Sequence, residues 1–103
     1  RPAMYEAYHH VEPLKPRHDA ALTCDVVGPV CESGDWLARD RQLAVQAGDW
    51  LAICSAGAYC AAMGSNYDPR NRPAEVLVDG DQVHLIRRRE SAQDQWRQEV
   101  LLP

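Results

Sequence analysis

Phenylalanine is absent from the 103 residues, and lysine occurs once, at Lys15. Without Phe, any core must be built from aliphatic side chains together with three Trp and four Tyr. No apolar run approaches the ~20 residues that a membrane helix needs. The formal charge of -4 argues against a nucleic-acid surface. Four cysteines stand at 24, 31, 54 and 60, and no pair has the two-residue gap of a zinc knuckle or a redox motif. His9 and His10 are adjacent, so in a helix they diverge, and a structural zinc site is not expected. The first residues do not read as a secretory leader, and Arg1-Pro2 reads as a cut through a longer polypeptide. The thiol content is that of reduced cysteines in a cytoplasmic protein. No internal repeat or low-complexity tract is present.

The composition is otherwise that of a globular domain, with 46% hydrophobic and 25% charged residues. A chain of this size buries roughly 65% of its unfolded surface, enough for one core. The first twelve residues read as helical, with Tyr5, Ala7, Tyr8 and Val11 on one face. Pro13 and Pro16 end that helix, and residues 11–20 read as a linker. β-type runs follow at 22–27, 37–43 and 50–55, with a turn at Gly48-Asp49 and a further candidate strand at 59–63. Residues 64–73 are polar and turn-rich. Two runs, 76–78 and 83–86, flank Asp79-Gly80 as a hairpin. Ser91 and Asp94 form a capping box for a short helix with Trp96 and Val100 on its inner face. The expected fold is mainly β: a small antiparallel-rich barrel or sandwich with a short N-terminal helical remnant and a short C-terminal helix. Residues 1–18 would be the remnant and linker, and residues 19–103 the β domain.

Chemistry concentrates in Gly28-Pro29-Val30-Cys31-Glu32-Ser33-Gly34-Asp35. Pro29 and Gly34 disfavour a regular strand there. A strand would send Cys31 and Glu32 to opposite faces, whereas a loop can aim both at one pocket. The negative charge of Glu32 disfavours a thiolate beside it, so Cys31 is suited to donating a proton. Glu32 can hold an ammonium group. Asp35 reads as a turn residue bonded to its own backbone. Arg39, Asp40 and Arg41 read as a solvated charge run. Tyr59, after Ala56-Gly57-Ala58, could donate to a phosphate oxygen where small residues let a ligand approach, or it could be a half-buried core tyrosine. Arg1 and Tyr5, four apart, share a helix face, and an arginine there can clasp a carboxylate.

The loop motif, with Gly48-Asp49, Ala56-Gly57-Ala58-Tyr59, Ser65-Asn66-Tyr67 and the stretches 72–80 and 85–90 in order, resembles the carboxy-terminal part of the diaminopimelate decarboxylase family. That resemblance implies a pyridoxal-phosphate enzyme in which an α/β barrel carries the cofactor on a lysine, completed by a β domain and shared across a dimer. It implies that Arg1, Tyr5, Glu32 and Tyr59 contact substrate. It further implies that Tyr59 touches the cofactor phosphate, and that Cys31 is the catalytic proton donor, usually in the partner subunit's site. The implied reaction converts meso-diaminopimelate to L-lysine and carbon dioxide. Ornithine-type relatives tend to carry Asp where Glu32 stands. The barrel, its lysine and its glycine-rich phosphate site have no counterpart here, and Lys15, between Pro13 and Pro16, does not replace that lysine. Cys60 and Ala61-Ala62 stand where the family usually has Gly and often an aromatic. The chain alone is therefore expected to be inactive, with a barrel-bearing partner, a small amino-acid substrate, and no membrane or nucleic-acid partner. Two alternatives remain: a free-standing interaction or dimerisation module descended from such an enzyme, and the same domain of a related amino-acid decarboxylase.

Overall fold

The computed structural model describes residues 2–103. It is mainly β with short helices, and every described ladder is antiparallel. Contacts divide it into two compact units, one ending at Met63 and the other spanning Gly64–Pro103.

The first unit opens with helix α1, Pro2–Tyr5. Proline suits a first helical turn because its missing N–H would have no partner there. Glu6 then takes a positive φ of 49°, which stops the helix after one turn. The helix expected over 1–12 is therefore four residues long. The linker expected over 11–20 is also corrected at its start, because Val11–Pro13 is strand β1. It pairs with β4, Leu51–Ile53, with Val11 opposite Ile53 and Pro13 opposite Leu51. Val11 is buried. Pairing and burial override the local helical signal.

The largest ladder joins β2, Leu22–Val27, to β3, Trp36–Leu43. Its register shifts between Cys24 and Val26, where Arg39 and Asp40 of β3 oppose Asp25 of β2, and again between Val26 and Val27. Asp40 sits in that bulge with φ 53°, and its N–H donates to the Asp25 carboxylate at 2.9 Å. Ala38 and Leu43 are an odd number apart, so plain alternation would send them to opposite faces. The extra residue resets the alternation, and both are buried with Val11. Cys24, Val26, Val45, Leu51 and Ile53 pack around these three.

The second unit holds β5, Glu75–Asp79, paired with β6, Gln82–Arg87, and then helix α2, Ala92–Trp96. Asp79 pairs with Gln82, so the two-residue loop is Gly80-Asp81, with Gly80 at φ 62°. Glycine first in such a loop supplies the positive φ a tight hairpin needs. Before the hairpin, residues 64–74 form no strand or helix and are pinned to Glu90. Its carboxylate accepts from the Arg72 N–H at 2.8 Å and from Asn66 at 2.6 Å. These bonds, that of Arg72 first, hold the Glu90 carboxyl below its usual range. At α2, Asp94 accepts from both the N–H and the hydroxyl of Ser91, as expected of the capping pair. Trp96 is half exposed and Val100 almost wholly so, so the inner face expected for them is not formed.

One further expectation is corrected. Residues 59–63 are a turn followed by a 3-10 helix, Ala61–Met63, not a strand. The N–H groups of Ala61 and Ala62 reach back to Ala56 and Gly57, each at 2.8 Å, and this coils the segment. The strands also form three separate two-stranded sheets, and no closed barrel or sandwich is found among the described residues. Closure would require each ladder to gain a second hydrogen-bonded neighbour.

Candidate functional site

The Cys31–Glu32 pair lies on the loop from Gly28 to Asp35 that joins β2 to β3. The loop is tied at several points. The Gly28 N–H donates to the Asp35 carbonyl at 2.8 Å, and the Asp35 N–H to the Glu32 carbonyl at 3.0 Å. The Asp35 carboxylate accepts from the Val30 N–H at 2.7 Å, the turn role expected of it. A Cβ on Gly28 would overlap that carboxylate, so any larger residue there must displace the Asp35 side chain. Glu32 accepts from the Gly34 N–H at 3.1 Å and is half-buried, whereas Cys31 is exposed.

Glu32 lines a cavity of about 480 Å³ with Ala3 and Met4 of α1, Ser33, Gly34, Trp36 and Arg39. Cys31 is not among the lining residues. Arg39, read from sequence as part of a solvated run, shares the cavity with Glu32, and its guanidinium lies 4.6 Å over the Trp36 ring. One cavity thus presents an anion and a cation. No sequence signal marked Arg39, because its place depends on the strand that follows the loop and on α1.

Tyr5 and Tyr59, separated by most of the first unit, meet with ring centroids 5.3 Å apart and planes tilted by 52°. Both tyrosines are about half exposed. The structure thus brings two of the expected substrate residues together. Glu32, the third, lies on the cavity described above, and Arg1, the fourth, lies outside the described residues.

Pyridoxal phosphate requires a lysine for its aldehyde and donors for its phosphate. The phenol of Tyr59 is such a donor. Lys15 is exposed and follows β1 without approaching either Tyr59 or the Glu32 cavity by any described contact. The described residues thus offer a donor of the kind a phosphate needs and no lysine at the site for the aldehyde. All four cysteines are free thiols, and among the described residues no helix is long and apolar enough to cross a membrane.

A family model described as the C-terminal sheet domain of pyridoxal-dependent decarboxylases matches residues 1–57. The chain is 56% identical over 100 residues to the diaminopimelate decarboxylase of Neisseria meningitidis serogroup A, covering 97% of this chain and 25% of that protein. It is 54% identical over 103 residues to the Pseudomonas aeruginosa diaminopimelate decarboxylase, again covering 25% of the relative. A crystal structure of the M. jannaschii diaminopimelate decarboxylase in co-complex with L-lysine superposes with a TM-score of 0.91 at 43% identity, over all of this chain and 24% of that one. The chain therefore spans about a quarter of the length of the relatives it matches.

Proposed function

Because the chain belongs to the C-terminal sheet domains of pyridoxal-dependent decarboxylases, we propose that it forms one part of a composite active site that converts meso-diaminopimelate to L-lysine and carbon dioxide. Similarity to diaminopimelate decarboxylases over the whole chain supports the substrate. The observation that carries the site is the meeting of Tyr5 and Tyr59 at 5.3 Å, together with the cavity that Glu32 shares with Ala3 and Met4 of α1.

When bound, the cofactor supplies the electron sink for decarboxylation, which no side chain provides. The roles of this chain are to bind, orient and deliver a proton. Glu32 grips the distal ammonium of the substrate by charge-assisted hydrogen bonds. Arg39, on the same cavity, offers a partner for the distal carboxylate. Tyr5 and Arg1 contact the substrate, and Tyr59 bridges substrate and cofactor phosphate. Cys31 donates its thiol proton to the substrate carbon that has lost carbon dioxide. Its exposure, away from the cavity lining, suits a group serving a partner subunit's site in a dimer. A barrel-bearing domain supplies the cofactor lysine, and the sheets close into a barrel with strands from outside this chain.

The test measures carbon dioxide release from meso-diaminopimelate with pyridoxal phosphate, using this chain alone and with a barrel-bearing chain added. Activity only after addition is expected. In that reconstituted enzyme, Cys31→Ala should lower kcat by about 10²-fold or more, the usual worth of a general acid. Glu32→Gln should act mainly through KM. Activity from the chain alone would overturn the proposal. The exposed apolar hairpin β5–β6 favours a second reading, an interaction module, which silence in both assays would support.

A further inference from the structure

His9 is 5% exposed, and its ring nitrogens face different partners. Nδ1 lies 3.2 Å from the backbone carbonyl oxygen of Cys54. A carbonyl only accepts, so Nδ1 carries the proton of the neutral ring. Nε2 is then an acceptor, and it faces Sγ of Cys60 at 3.6 Å. A thiol, an imidazole and an acceptor that orients the imidazole form the arrangement that activates a nucleophile.

The fold holds all three in place. His9 sits between α1 and β1, and the adjoining His10 carbonyl accepts the Cys54 N–H at 2.8 Å. Cys60 is carried by the turn that Ala56 and Gly57 close. Cys24 provides the contrast: its thiol faces only the carbonyl of Arg41, at 3.7 Å, and so has no base. Among the described residues no group of three His, Cys, Asp or Glu could hold a metal ion.

We propose that Cys60 is a covalent modification site for low-molecular-mass disulfides, with His9 as its base. The thiol proton passes to His9 Nε2, and Sγ attacks one sulfur of the disulfide. A new S–S bond forms, the old one breaks, and the departing thiolate takes the proton from His9. The adduct stands one residue from Tyr59, where it would disturb the Tyr5–Tyr59 contact. The site owes nothing to the decarboxylase reading.

The experiment treats the reduced full chain with oxidised glutathione at neutral pH and follows the mixed disulfide at each cysteine by peptide mass mapping. Cys60 is expected to react faster than the more exposed Cys31 and at least about tenfold faster than Cys24, the direction in which an adjacent base acts on a thiol. His9→Gln should slow Cys60 about tenfold and leave Cys31 unchanged. Reaction at Cys31 before Cys60 in the unmodified protein would overturn the proposal even if His9→Gln fails to fold. An unaltered Cys60 rate in a folded His9→Gln chain would overturn it as well.

Discussion

At the scale of single residues, the tightest constraints sit in the loop that carries Cys31 and Glu32. Gly28→Ala would push a methyl group into the Asp35 carboxylate that holds the Val30 N–H. The expected cost is about 1–3 kcal/mol, as for other overpacked sites. Urea denaturation should show that Asp35→Ala in the same chain removes most of the added penalty of the glycine change, a coupling that two independent defects would not produce. Asp49 offers a second test. The Arg17 guanidinium, at 2.5 Å and 2.6 Å, and the Gln46 N–H hold its carboxyl at about 2, from an ordinary 3.8. A carboxyl lowered on folding contributes stability above its unfolded value, and that contribution is lost as pH falls through the folded one. The stability difference between the wild-type chain and Asp49→Asn should therefore be flat above about pH 5 and shrink between about pH 4 and 2. A difference that persists unchanged to pH 2 would show that the carboxylate charge is not what Asp49 contributes. In the sequence, Asp35 was legible as a turn residue because the turn is local. The Arg17–Asp49 pair was not, because the β1–β4 pairing brings its partners together.

At the scale of elements, β1 is the clearest case of tertiary context overruling a local signal. Its Val11 belongs to the core with Ala38 and Leu43, while Leu14, just beyond, is exposed. Val11→Ala should cost about 1–3 kcal/mol in chemical denaturation, and Leu14→Ala within about 0.5 kcal/mol. Equal effects would return this segment to a linker. The hairpin β5–β6 is the opposite case. Its turn was readable from Gly80 and its flanking β-branched residues, yet Val76, Leu77, Val78, Val83, Leu85 and Ile86 are all more than half exposed. A two-stranded ribbon without a covered face is marginal in water. Its amides should exchange with deuterium faster than those of β2–β3, whose inner face is packed, and equal protection would contradict that exposure.

At the scale of the whole molecule, in the proposed function the chain divides labour with a barrel-bearing partner that supplies the cofactor lysine. Lys15 is exposed and outside the site, so Lys15→Ala should leave the reconstituted decarboxylation rate unchanged. A lost rate in a folded variant would make Lys15 a participant and reopen the cofactor assignment. The expected site was legible in part: the Cys31–Glu32 loop and Tyr59 follow from motif order, while Arg39 and the Cys60–His9 pair do not.

By itself the sequence determined the features that depend on neighbours along the chain. These are the β2 strand, the Gly48 and Gly80 turns, the Ser91–Asp94 cap and the loop that frees Cys31 and Glu32 from strand alternation. Each rests on φ preferences and side-chain bonds spanning a few residues. Only the tertiary structure decided where distant segments meet. It shortened the first helix, drew Val11 into a ladder, and placed Tyr5 on Tyr59. It also used the bulge at Asp40 to turn Ala38 and Leu43 to one side. Those outcomes rest on burial and on ladder hydrogen bonds between residues far apart in the chain, which no local pattern encodes.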